Sequence, residues 1–277
     1  MRLLPSFILV SILFLTFACK QDPSANGDSS SAAPKKEINL VEEALGDTTS
    51  KSFTLTAFEP SPDFADASLY AMRYVKGRFG FMIGGETYKL GAQTEDAPQK
   101  MCANSAKGQH LHLIVDNEPY LAKYEAEFDH TLPDGQHYVL AFLSRSYHES
   151  IKRSNANTLL KVMVEGNRLT KSEPVQEAMV FYSRPKGNYR GKAETDKVML
   201  DFYLNNADMA EGYRVLADIN GERYVVDSWQ PYYIEGLPMG KNSITLTLVD
   251  EKGRVVQSDL NPVTREFTLE VDPLEVQ

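Results

Sequence analysis

The chain has 277 residues, 42% hydrophobic and 24% charged, proportions that exclude a disordered, collagen-like or many-spanning membrane protein. Its 29 basic against 38 acidic residues leave a net charge of −9, which argues against a nucleic-acid partner, since phosphate has to be met by cations that displace counterions. Two cysteines exclude a disulfide framework, so stability must come from an aromatic-rich core.

Residues 1–18 read as a lipoprotein signal peptide. Arg2 supplies the positive start, an apolar stretch runs from Phe7 to Phe17, and the small Ala18 stands directly before Cys19. The stretch is shorter than the roughly 20 apolar residues of a membrane-spanning helix. A cysteine at the cleavage point resembles the bacterial lipoprotein signal, although Thr16 stands where such signals usually have Leu. The resemblance makes Cys19 the lipidation site and the bacterial envelope, periplasmic or cell-surface side, the location, with the membrane as a partner through the lipid. Residues 19–51 are then predicted as a tether. Lys20 to Lys36 is almost without apolar residues and cannot bury surface. Ile38 to Leu45 can form one or two helical turns.

Beyond the tether the apolar period is two, and Gly, Pro, Asn and Asp punctuate runs of five to eight residues, the pattern of an all-β chain. An internal repeat divides it. His112 to Tyr120 aligns with Leu216 to Tyr224, Leu132-Pro133-Asp134-Gly135 with Leu237-Pro238-Met239-Gly240, and Leu69 to Gly77 with Val180 to Gly187. Two tandem immunoglobulin-like sandwiches are predicted, a His-rich one at 52–170 and a second at 175–273, joined near Thr170 to Asp196. Val139, Ala141 and Leu143 alternate with Tyr138, Leu140 and Phe142, so that strand is apolar on both faces and predicted to be central.

All five histidines, His110, His112, His130, His137 and His148, fall in the first copy. The second copy has Arg214, Leu216 and Asn242 where His110, His112 and His137 stand, so the fold does not demand them. His110 and His112, two apart on a strand, share the face turned away from the sandwich core. Antiparallel pairing brings His148 to the same end, together with Met101 and Cys102, and leaves His137 roughly 20 Å away at ~3.3 Å per residue. Cys102, His110, His112 and His148 thus offer soft and imidazole ligands for copper or zinc, or alternatively a solvated or packed cluster. Ser144, Arg145 and Ser146, with Lys152 and Arg153, form a second candidate, an anion- or peptide-binding set. Trp229, Tyr232 and Tyr233 could stack on a sugar if exposed. No Gly-x-Ser-x-Gly, phosphate loop or His-Glu-x-x-His is present, and no enzyme is expected.

Gly108-x-His110-x-His112-Leu113-Ile114-Val115-Asp116, then Leu132-Pro133-x-Gly135-x-His137 and His148, resembles a histidine-rich bacterial envelope domain of unknown function. Met101 to Asn104, Tyr120 to Tyr124, Leu143 to Ser150, Phe181 to Gly187 and Tyr233 to Gly240 together resemble bacterial lipoproteins labelled phosphopeptide-binding proteins, over nearly the whole mature chain. The resemblance implies an anchored binding module with an envelope protein or peptide as partner, the alternative to a metal-holding module.

Overall fold

The computed structural model describes residues 38–275. The predicted signal, Cys19 and the tether as far as residue 37 lie outside the described residues. In chain order the elements are α1 (Leu40–Gly46), β1 (Thr54–Ala57), β2 (Ser68–Val75), β3 (Arg78–Gly84), β4 (His110–Val115), β5 (Leu121–Lys123), β6 (Glu127–Asp129), β7 (Gly135–Ser144), β8 (Asn157–Glu165), β9 (Arg168–Pro174), β10 (Met179–Arg184) and β11 (Gly187–Arg190). There follow α2 (Lys192–Thr195), β12 (Lys197–Asn205), β13 (Arg214–Ile219), β14 (Glu222–Val226), β15 (Tyr232–Glu235), β16 (Gly240–Val249) and β17 (Val263–Glu270). The chain is all-β, and among the described residues no helix is long and apolar enough to cross a membrane.

In the first half, eight strands in the order β5-β4-β7-β8-β9-β2-β3-β6 form one sheet that closes over a single core. Leu69, Tyr74, Phe79 and Phe128 from one end pack with Leu111, Leu113, Val139, Ala141 and Val162 from the other. In the second half, two sheets, β1-β15-β12-β10 and β11-β17-β16-β13-β14, enclose a core of Val180, Tyr182, Leu200, Phe202, Val215, Ala217, Ile244 and Leu246.

The repeat survives at the level of single hydrogen bonds. In the first copy Tyr138 N–H donates to Asp116 Oδ1 at 2.7 Å, and His137 bonds both Asp116 Oδ2 at 2.5 Å and the Pro133 carbonyl at 3.0 Å. In the second, Ser243 N–H donates to Asn220 Oδ1 at 2.8 Å, and Asn242 bonds both Asn220 at 2.8 Å and the Pro238 carbonyl at 2.8 Å. Each copy thereby ties the end of β4 or β13 to the Leu-Pro-x-Gly turn.

Three boundaries differ from the sequence expectation. The tether does not extend to 51: Asn39 Oδ1 caps α1 through the N–H groups of Val41 and Glu42, and Ala44 packs on Leu216 and Val249 of the second half. The first unit does not begin at 52, because β1 pairs with β15 and so belongs to the second half's sheet. The connection from Thr170 to Asp196 is not a free linker, since β9 pairs with β8, β10 with β12 and β11 with β17.

Between the halves lies a further apolar cluster. Ile114, Leu140 and Phe142 on the outer face of β4 and β7 meet Val175, Met179, Phe181 and Tyr203 from β10, β12 and the connection before them. This is why β7 is apolar on both faces: one face fills the first core and the other fills the junction with the second half.

Candidate metal centre

The alternation of β4 sends Leu111 and Leu113 into the first core and His110, His112 and Ile114 to the opposite face. That face is not at the surface. The second half covers it, and His110 and His112 are both fully buried. Gly108 sets the entry to the strand: at φ +81° it lies so close to the carbonyls of Gly91 and Ala92 that a Cβ would come within 2.6 Å of them. Its own carbonyl accepts from His110 Nδ1 at 2.8 Å.

His148 arrives from the tight turn after β7, where its N–H donates to the Arg145 carbonyl at 2.9 Å and its φ is +71°. A side chain in that left-handed region is uncommon and costs energy. The turn aims the ring at the pair. His110 Nε2 lies 2.9 Å from His112 Nε2 and 2.9 Å from His148 Nδ1, and the ligand atoms of all three fall within 4.8 Å of one another.

The tautomers follow from the partners. A carbonyl only accepts, so His110 carries its proton on Nδ1 and presents a bare Nε2 to its two neighbours. Tyr120 lies flat on His112 with ring centroids 3.7 Å apart, Phe142 closes the other side at 5.0 Å, and Tyr124 sits 4.9 Å from His110. Ser183 Oγ is 3.4 Å from His112 Nδ1, and the Tyr120 hydroxyl is 3.2 Å from His148 Nδ1. These contacts fix the ring planes, the role outer partners play around metal-bound imidazoles.

Burial, reinforced by the positive charges of Arg184 and Lys186, holds His110 down to about 4. Burial likewise holds His112 and His148 well below the usual histidine value. All three are therefore neutral at pH 7, the form that ligates a metal. Around an ion at ~2.0–2.1 Å, tetrahedral nitrogens would stand about 3.3 Å apart, so the two 2.9 Å pairs need to open by a few tenths of an ångström while the widest pair, within 4.8 Å, has to close.

Cys102 does not join them. It packs with Phe58, Tyr147, Met199 and Tyr233, and burial pushes its thiol up to about 11, the state of an inert structural cysteine. The predicted anion set is also dismantled. Arg145 faces Glu149 at 3.5 Å and lies over the Phe64 ring, Lys152 pairs with Asp201 at 2.5 Å, and Arg153 Nε donates to Asp63 at 2.8 Å. Ser144 donates to the Arg145 carbonyl at 3.1 Å, and Ser146 exchanges bonds with Thr94 at 3.2 and 3.0 Å. These cations and hydroxyls hold loops together. Tyr232 and Tyr233 are buried in β15, and Trp229 Nε1 donates to the Phe202 carbonyl at 3.0 Å, edge-on to Tyr203, so the three do not form a stacking platform.

His130 and His137 stay at the opposite end of β7, His137 in the turn bonds described above and His130 beside Phe79. Tyr120, Ser183, Arg184 and Lys186 were not picked out from the sequence as site residues. Tyr120 ends the His112 to Tyr120 segment of the repeat, and Ser183, Arg184 and Lys186 lie in its Val180 to Gly187 segment, neither of which carries a hint of the cross-half contact.

No family model matches the chain, and no curated protein matches it significantly. Among solved structures it is similar to the fibronectin(III)-like modules of Clostridium thermocellum CbhA, at 11% identity and a TM-score of 0.27, covering 79% of this chain and 95% of that one. It is also similar to the central fibronectin-III array of RIM-binding protein, at 9% identity and a TM-score of 0.26, covering 77% and 72%. A third similarity is to a Ca2+-stabilized adhesin with which an Antarctic bacterium binds ice, at 14% identity and a TM-score of 0.23, covering 77% and 50%.

Proposed function

We propose that this protein is a lipid-anchored binding module of the bacterial envelope that holds copper or zinc through His110, His112 and His148. One observation carries the metal reading: three neutral imidazole nitrogens converge in a largely buried site whose ring planes are already fixed. An all-imidazole donor set suits either metal, and three protein ligands leave a fourth position open. The address rests on the Arg2 to Cys19 segment and on the resemblance to bacterial lipoproteins, which this proposal keeps for the anchor and not for a phosphopeptide ligand.

Titration of the metal-free protein with Cu or Zn tests the centre. The wild type is expected to take up one equivalent, and the His110→Ala/His112→Ala variant none. Equal uptake by both, or none by the wild type at micromolar metal, refutes the site. For the anchor, Cys19→Ala is expected to abolish incorporation of a fatty-acid analogue.

A further inference from the structure

Arg184, the last residue of β10, is only 4% exposed. Its Nη2 donates to the Tyr189 hydroxyl at 2.7 Å, while its Nε and Nη1 have no hydrogen-bond partner among the described residues. The residue opposite it on β12 is Asp201, fully buried, but that carboxylate is taken by Lys152 at 2.5 Å and by the N–H and hydroxyl of Ser150. Two further cations, Lys186 and Arg265, stand near it. Lys186 Nζ donates to the Tyr120 carbonyl at 2.6 Å and stands 3.9 Å above the Tyr120 ring. Arg265 lies 5.5 Å from the Tyr182 ring, and its Nη2 is again unpartnered. Lys186 is shifted down by burial and then by the charges of Arg184 and Arg265, while Glu118 acts on Arg265 in the opposite sense.

The buried atoms left without partners here are Arg184 Nε and Nη1, Arg265 Nη2 and the Tyr182 hydroxyl, each able to donate a hydrogen bond. A guanidinium does not deprotonate in a protein, and a buried charge without a counter-charge is strongly unfavourable. Neighbours that could supply a negative charge by ionising are held neutral, chiefly by burial: Cys102 at about 11 and Tyr182 well above its usual value. The charge of Arg184 reaches all three histidines. Half-buried Lys186 and His148 mark the side on which the site meets solvent.

We propose that a small inorganic anion, of halide or azide size, binds against Arg184 beside the three histidines, with Lys186 on its solvent side. The anion supplies the negative charge that the protein withholds and accepts from the orphaned guanidinium nitrogens. The site goes beyond the metal reading and does not depend on it, because Arg184 lacks a counter-charge whatever the imidazoles hold. Where a divalent ion is also bound, the two ligands tighten each other, and reciprocally so.

The test uses the full-length protein stripped of metal, with sodium bromide replacing sodium gluconate at constant ionic strength. Bromide at about ten times its dissociation constant is expected to raise Tm by about 3 °C in the wild type and to leave Arg184→Gln unmoved. Lys186→Gln, a half-buried and milder change, is expected to weaken the response and serves if Arg184→Gln does not fold. In crystals grown with bromide the anomalous signal should peak at Arg184. No rise in the wild type, an equal rise in the variants, or a peak elsewhere overturns the proposal. Because metal is absent throughout, none of these results bears on the histidine centre, which the Cu or Zn titration judges separately.

Discussion

His137 and Asn242 occupy one position in the two copies and make the same pair of bonds with different chemistry. His137→Asn should therefore be tolerated, whereas His137→Ala strands Asp116 and the Pro133 carbonyl and should cost about 1–3 kcal/mol. Urea denaturation of the two variants checks the contrast. The neutral histidines of the candidate centre make a pH prediction. His110 titrates at about 4 when folded against 6.5 in its ordinary state, so between those values the unfolded chain binds the extra proton and the folded chain does not. Stability of the metal-free protein should thus be intact above pH 6.5 and fall as pH drops toward 4, by up to about 3 kcal/mol from this residue. His110→Gln should flatten that slope in denaturation curves collected across pH. The shared face of His110 and His112, and the approach of His148, were legible because strand alternation and antiparallel order fix them. Their burial was not. What covers that face is a strand some 70 residues further on, Ser183 against His112. Cys102 misled for the same reason, since a loop's spacing does not say which core receives it.

The two-faced strand β7 was legible as central from its uninterrupted apolar run, and the helix α1 from Ile38 to Leu45, yet neither pattern names its partner. In each copy the outer face of one strand, β4 or β13, needs a cover. The second half covers Ile114 beside the histidines, and α1 covers Leu216, the residue aligned with His112. The segment expected to be tether is therefore a structural lid for the second sheet. Asn39 caps it, and its Oδ1 would lie within 2 Å of a Cβ placed at Gly253, where the turn runs at φ +71°. Asn39→Ala should cost about 1 kcal/mol through the lost cap. Ala44→Asp, which buries a charge against Leu216 and Val249, should cost several times more. Hydrogen exchange of the β13 and β14 amides should speed up in that order. Unchanged exchange in Ala44→Asp would mean that the helix is not seated there.

Contacts across the molecule join the two halves into one compact unit, which the repeat alone could not reveal because a repeat is equally compatible with beads on a string. Asn117, in the turn after β4, donates to the carbonyls of Val180 and Leu260 and accepts from Tyr182 N–H, stitching the first half to the second. Lys152 and Asp201 form an ion pair across the same junction. Phe142 is fully buried there, 5.3 Å from Tyr203 of the second half and 5.0 Å from His112. Phe142→Ala removes apolar contact from both sides at once and should cost about 3–5 kcal/mol. If the halves fold as one, that cost appears everywhere: exchange protection should fall in β2 and β3 of the first half and equally in β16 and β17 of the second, none of which contributes to the apolar cluster around Phe142. The His112 ring loses its wall in the same variant, so metal uptake should weaken in parallel with the loss of protection. Protection lost in β2 and β3 alone, with β16 and β17 unmoved, would show two independent sandwiches and would leave the histidine centre supported by the first half only.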